Sequence, residues 1–140
     1  MIDASLAAMW ALPESYTHQA FSLAKQWAQE GTRLIAPCLM LTEVTNAIYK
    51  RVLRAEIELS IAIAALHVIM EFGIEIQEEP GLHSRAITLA HQLKRTNTYD
   101  CHYLALAEIH DCSLWTGDER FYNSVKKTFH RLKWIGNFEP

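Results

Sequence analysis

Short β-like runs alternate with helix-length amphipathic segments from one end of this chain to the other, and that order leaves few folds open. The strand-like pieces are Met1-Ile2-Asp3, Arg33 to Ala36, Ile74-Glu75-Ile76, Cys112 to Thr116 and Lys133-Trp134-Ile135. Ala4 to Leu12 is apolar almost throughout and stops at Pro13. Thr17 caps an expected helix to Glu30, with Ala20, Leu23, Ala24 and Trp27 on one stripe and Gly31 as its stop. Leu39 to Arg54 carries Leu41, Val44, Thr45, Ile48 and Val52 on one face. Further helices are expected from Ser60 to Phe72, Leu82 to Arg95, Tyr99 to His110 behind a Thr98 cap, and Arg120 to Lys127. Antiparallel strands join through tight turns, whereas parallel strands need crossovers of helix length. The pattern therefore predicts an α/β fold: a three-layer α/β/α sandwich with a short, mostly parallel sheet. The chain has 140 residues, no repeat and no Pro/Gly/Ser-rich linker, so a single domain over 1–140 is expected.

Composition excludes several classes. Half of the residues are hydrophobic, too many for a disordered chain. Three cysteines without CxxC spacing rule out a disulfide scaffold. Cys38, Cys101 and Cys112 lie in apolar segments, as reduced, buried thiols of a cytoplasmic protein would. Asp3 stands where a signal peptide would begin with cations. The apolar run Ile61 to Met70 contains His67 and is too short to span a bilayer, so no membrane is expected. The seven histidines form no close pair on one helix face, which gives no transition-metal signal. The net charge of −3 is unevenly spread: Arg120, Lys126, Lys127, Arg131 and Lys133 face only Glu139 in the last stretch. Such a basic segment on an acidic body suits a phosphate backbone.

In parallel α/β folds, ligands bind beyond the carboxyl ends of the strands. Asp3 ends the first strand and Asp118 follows the 112–116 strand after Gly117. Asp100 lies in the first turn of its helix, and Glu43 in the first turns of the 39–54 helix. Glu43, Asn46 and Lys50 share one stripe, while Asp100 leads a stripe of Tyr103, Leu104 and Ala107. A carboxylate in an apolar setting is costly unless paired, protonated or bound to a cation. Several converging acids suit a hard divalent ion. Spacing alone leaves open the alternative of ordinary helix N-terminal acids, favoured by the helix dipole.

Four segments also resemble the PIN domain family, most closely the VapC-type toxins of bacterial and archaeal toxin–antitoxin pairs. They are Ile2-Asp3-Ala4-Ser5, Pro37 through Glu43 to Asn46, Tyr99-Asp100-Cys101-His102-Tyr103-Leu104-Ala105-Leu106-Ala107, and Leu114-Trp115-Thr116-Gly117-Asp118-Glu119-Arg120-Phe121. The resemblance implies a Mg²⁺- or Mn²⁺-dependent endoribonuclease that hydrolyses RNA phosphodiesters with a metal-activated water. Its catalytic acids match Asp3, Glu43, Asp100 and Asp118. Asp3, Asp100 and Asp118 would hold the metal, with Ser5, Asn46 and Thr116 as supporting polar groups. On this reading Arg120, Lys126 and Lys127 track the RNA. The implied partners are a small antitoxin protein laid into the site and a second copy of the chain. A homodimer also follows from the 60–72 helix, which is apolar nearly all round and must bury both faces.

The sequence departs from the family at three places. Only Ile2 and Met1 precede Asp3, so the first strand is clipped or the start lies further upstream. Position 101 is Cys where alanine is common, and His102 is expected as an exposed or hydrogen-bonded residue. The alternative function is a non-catalytic PIN-like RNA- or protein-binding module. A receiver-like phosphotransfer domain is more distant, because it needs paired acids after the first strand and a lysine in a late loop.

Overall fold

Met1–Asp3 runs through the middle of the sheet in the computed structural model, which describes all residues from Met1 to Pro140. On one side Trp115 N–H donates to Met1 O and Asp3 N–H to Trp115 O, at 2.9 and 3.1 Å. On the other, Ile2 N–H donates to Ile35 O at 3.2 Å. These three residues join two pairs of parallel strands, β1 (Ile35–Pro37) with β2 (Glu75–Gln77), and β3 (Leu114–Thr116) with β4 (Leu132–Trp134). Ile2 bridges Trp115 in parallel and is fully buried. Each strand is only three residues long, so helix packing rather than the ladders must hold the sheet in place.

The helices are α1 (Ala4–Ala8), α2 (Thr17–Glu30), α3 (Leu39–Leu53), α4 (Leu59–Glu71), α5 (Leu82–Gln92), α6 (Tyr99–Ile109) and α7 (Glu119–Val125). A 3₁₀ turn at Ile135–Asn137 follows β4. The α/β class with short parallel strands is as the sequence predicts. Strand boundaries differ by a residue or two, because ladders this short are set by their neighbours rather than by their own alternation, and α5 ends at Gln92, three residues before Arg95.

The helix ends are less as expected. Gly31 closes α2 with φ 66°, the left-handed conformation that an L side chain resists. Thr17 is not the cap of α2; its hydroxyl instead accepts from Glu14 N–H and donates to Leu12 O, pinning the turn before the helix. Neither Ser60 nor Thr98 caps with its side chain; Asn97 Oδ1 accepts from Tyr99 N–H in place of Thr98.

One cluster of 36 buried residues forms the core. Helix α6 runs through it: Cys101 and every residue from Tyr103 to Ala107 are buried. A helix covered on so many sides has little amphipathic contrast. Cys101 is buried as expected, but Cys38 is exposed at the start of α3 and Cys112 is only partly covered. Helix α4 turns Ala62, Ala65 and Ile69 inward and leaves Ile61, Ile63, Val68 and Met70 outside. No helix is long and apolar enough to cross a membrane.

Candidate active site

Two helix caps and two side-chain hydrogen bonds bring the four expected acids to one place. Asp3 is the N-cap of α1, its Oδ1 accepting from Leu6 N–H at 2.9 Å and from the Ser5 hydroxyl at 2.7 Å. Asp118 is the N-cap of α7, its Oδ1 accepting from Arg120 N–H at 2.8 Å and Phe121 N–H at 3.0 Å. In both, the capping geometry that orders the helix also fixes the carboxylate.

The Ser5 and Thr116 hydroxyls tie these caps together. Ser5 Oγ accepts from Gly117 N–H, and Thr116 Oγ1 accepts from Asp118 N–H. The Ser5 hydroxyl gives its proton to Asp3, and its oxygen lies 3.2 Å from that of Thr116, whose own hydroxyl also acts on the Asp3 carboxyl. Gly117 is favoured by close approach: a Cβ there would displace the tip of Met9, 2.6 Å away at Cε, and press on the Ser5 backbone at 3.1 Å.

Glu43 and Asp100 are held differently. The buried Tyr103 hydroxyl donates to Glu43 Oε2 at 2.6 Å. Arg95, just before α6, pairs with Asp100 Oδ2, donates to Ser124 Oγ at 3.0 Å and lies 5.8 Å from the Phe121 ring centre. All four acids line one open cleft of about 500 Å³, together with Ser5, Asn46 and Tyr103. Thr116 is fully buried beneath it.

The electrostatics follow from burial and like charge. Burial pushes the Asp3 carboxyl up to about 6, and Asp118 pushes the same way; the Thr116, Leu6 and Ser5 hydrogen bonds pull against them. Glu43 is raised by burial and by Asp100, against the pull of Tyr103 and His102. Burial and the neighbouring Glu43 drive the Tyr103 phenol upward, so it stays a donor.

This donor set fits a hard dication in part. Asp3, Glu43 and Asp118 have no ion-pair partner, although Asp3 is buried and faces a second carboxylate. Glu43 and Asp118 each also have one carboxylate oxygen without an N–H or O–H donor within hydrogen-bond distance. Mg²⁺ needs only one or two carboxylates and keeps its remaining waters. The expected triad of Asp3, Asp100 and Asp118 is not closed, however: no three His, Cys, Asp or Glu side chains converge on a single ion position. Arg95 accounts for this at Asp100, where it supplies the positive charge an ion would otherwise bring.

The cations of the cleft are not the expected ones. Arg120, Lys126 and Lys127 do not line it. Lys126 Nζ donates to Asn123 Oδ1 at 2.7 Å and sits 5.2 Å from the Tyr122 ring centre. The lining cations are Lys50, Arg51 and Arg54 of α3 and its end. Arg51 is engaged by Glu14 and Glu56, and Arg54 by Glu56, which leaves Lys50 as the unpaired one. The shared stripe of Glu43, Asn46 and Lys50 was the sequence signal for it.

An acid-lined cleft at the ends of short parallel strands, walled by helices, places the chain among α/β proteins with a polar site at the strand ends. The chain belongs to the PIN domain family, whose model matches residues 1–127. Proteins of that family are generally nucleases. No curated protein matches the chain.

Proposed function

We propose that the chain is a metal-dependent endoribonuclease, the toxin of a type II toxin–antitoxin pair, acting as one unit over 1–140. The observation that carries this reading is the hydroxyl-braced pair Asp3 and Asp118 opening into the same cleft as Glu43 and Asp100. Asp3 and Asp118 would hold Mg²⁺ or Mn²⁺, with Asp100 joining when Arg95 lets it go. The ion would supply charge neutralisation at the scissile phosphate and acidify water. Glu43, fixed by Tyr103 and raised by burial, is the group placed to orient a water and take its proton. Lys50 is free to meet a phosphate, and Asn46 can hydrogen-bond to the RNA from the same stripe. Ser5 and Thr116 keep Asp3 and Asp118 in register.

The outward residues of α4 support a homodimer. Leu59 and Ile63 line an apolar groove with Tyr49 of α3, and Ile61, Val68 and Met70 stay exposed besides, apolar surface of the kind partners cover. The same surface and the open cleft suit a small antitoxin protein, and the sequence reading places the pair in the cytoplasm. Sedimentation at micromolar concentration is expected to give a dimer.

The Arg95–Asp100 pair favours one alternative, a non-catalytic PIN-like RNA- or protein-binding module, because it occupies one acid without an ion. RNA cleavage separates the two. The nuclease reading expects cleavage of a structured RNA with Mg²⁺ or Mn²⁺ and none with chelator. RNA retention without cleavage under both conditions selects the binding module.

A further inference from the structure

His83 and His102 come from different helices and meet ring to ring at the surface. His83 is the second residue of α5, and His102 lies one turn into α6. His83 Nδ1 is 3.1 Å from His102 Nε2. The far nitrogen of each ring is already committed. His102 Nδ1 is 2.8 Å from the carbonyl oxygen of Thr98, and His83 Nε2 is 2.8 Å from Glu78 Oε1.

Hydrogen-bond bookkeeping then decides what faces what. A carbonyl and a carboxylate only accept, so both far nitrogens donate. A neutral imidazole that donates from one nitrogen carries a lone pair on the other. The two facing nitrogens are therefore both lone pairs, 3.1 Å apart, and they repel unless something positive lies between them. Anchoring of the far N–H by a carboxylate or a backbone carbonyl is the arrangement that orients histidines toward transition metals. Two nitrogens on a tetrahedral Zn²⁺ at Zn–N of ~2.05 Å sit about 3.3 Å apart, close to the spacing found.

We infer that His83 and His102 form a two-nitrogen site for a transition-metal dication, Zn²⁺ foremost, which clips α5 to α6. The imidazole pair selects for Zn²⁺, Ni²⁺ or Cu²⁺ over Mg²⁺. Only two protein ligands are present, so the remaining coordination positions belong to water or to a donor atom from another molecule. The site is reached from solvent, since the His83 side chain is 71% exposed. It is separate from the acidic cleft, which neither histidine lines, and the inference does not depend on the nuclease reading. A positive charge at His102 is felt by the Glu43 carboxyl, so an ion here would lie at the margin of the acid cluster.

Isothermal titration of the full chain with ZnCl₂, under excess MgCl₂ to fill oxygen-ligand sites, tests this. His83→Ala and His102→Ala are each expected to weaken Zn²⁺ binding at least about tenfold, and Glu78→Gln about tenfold through loss of the anchoring carboxylate. Asp118→Asn is expected to leave Zn²⁺ binding unchanged. Imidazole ¹⁵N spectra are expected to show Zn²⁺ moving His83 Nδ1 and His102 Nε2 and no other histidine. His83 is exposed, so its variant reports on binding even if His102→Ala fails to fold. Zn²⁺ affinity unchanged in His83→Ala overturns the proposal. So does a wild-type chain that takes up no Zn²⁺, which would leave a shared proton between the rings.

Discussion

The two halves of the acidic cleft are built on different principles. Asp3 and Asp118 are anchored by backbone N–H groups that the helices α1 and α7 must satisfy anyway, and two hydroxyls brace them. Glu43 and Asp100 are held by side chains alone, Tyr103 and Arg95. Backbone donors cannot leave without unwinding a helix turn, whereas side-chain partners can rotate away. The first half is therefore set when the chain folds, and the second can exchange one partner for another.

The largest expected effect breaks the exchangeable half. Asp100→Asn should lower metal-dependent RNA cleavage by at least about a thousandfold, or ~4 kcal/mol in transition-state terms. Its circular dichroism should stay that of the parent, because Asp100 caps no helix. Undiminished cleavage would remove Asp100 from the site.

Next comes the fixed half. Folded Asp3 keeps its proton up to about pH 6, whereas the unfolded chain releases it near its ordinary value of 3.8. The folded state thus binds more protons across that window, and stability falls as pH rises through it, then stays lower. Ionised Asp3 accordingly costs roughly 3 kcal/mol at neutral pH. Asp3→Asn should flatten denaturant-measured stability between pH 4 and 6, and a slope equal to that of the parent would refute the assignment. At Asp118 the contrast is sharper still. Asp118→Ala should cost about 1 kcal/mol for the lost cap, while Asp118→Asn, an equally good cap, should cost almost nothing.

Smaller effects sharpen the comparison. Arg95→Ala should tighten Mn²⁺ binding by up to about fivefold, the equivalent of the ~1 kcal/mol of a partly exposed ion pair. Weaker binding would show that Arg95 supports the site rather than competing for it. Smallest is the salt response. Lys50→Ala should flatten the log–log dependence of RNA affinity on salt by ~0.7, one single-stranded phosphate contact. Lys126→Ala with Lys127→Ala should leave it unchanged, unless the bound RNA extends beyond the cleft to α7.

Much of this was legible in the residues. Asp3 and Asp118 could be found because each stands between a strand-like run and a helix, where a cap and a ligand site coincide. Glu43, Asn46 and Lys50 could be found from helical spacing. Arg95 could not: it follows Lys94, whose φ of 53° turns the chain back, and nothing in the order of residues reveals that turn. Net charge along the chain pointed to Arg120, Lys126 and Lys127 but says nothing about which way a helix faces, and these three lie outside the cleft lining. The histidine pair was invisible for a related reason. His83 and His102 stand 19 positions apart on two helices, and only the packing of α5 on α6 brings them together. The expected burial of Cys38 failed because an apolar neighbourhood in sequence was read as one in space.

The central strand has a consequence for how the protein comes into being. Ser5 reaches across 112 positions to Gly117, so during synthesis the earlier residue must wait for the later one. Such distant pairings are slow to form and are late events in folding. Until β3 has emerged, Met1–Asp3 has no neighbour on one side, and Asp3 has neither the Thr116 hydroxyl nor the Asp118 carboxylate beside it. A nascent chain that has not yet reached β3 therefore carries no assembled acid cluster, and whatever chemistry the cleft performs begins only after Asp118 has been made.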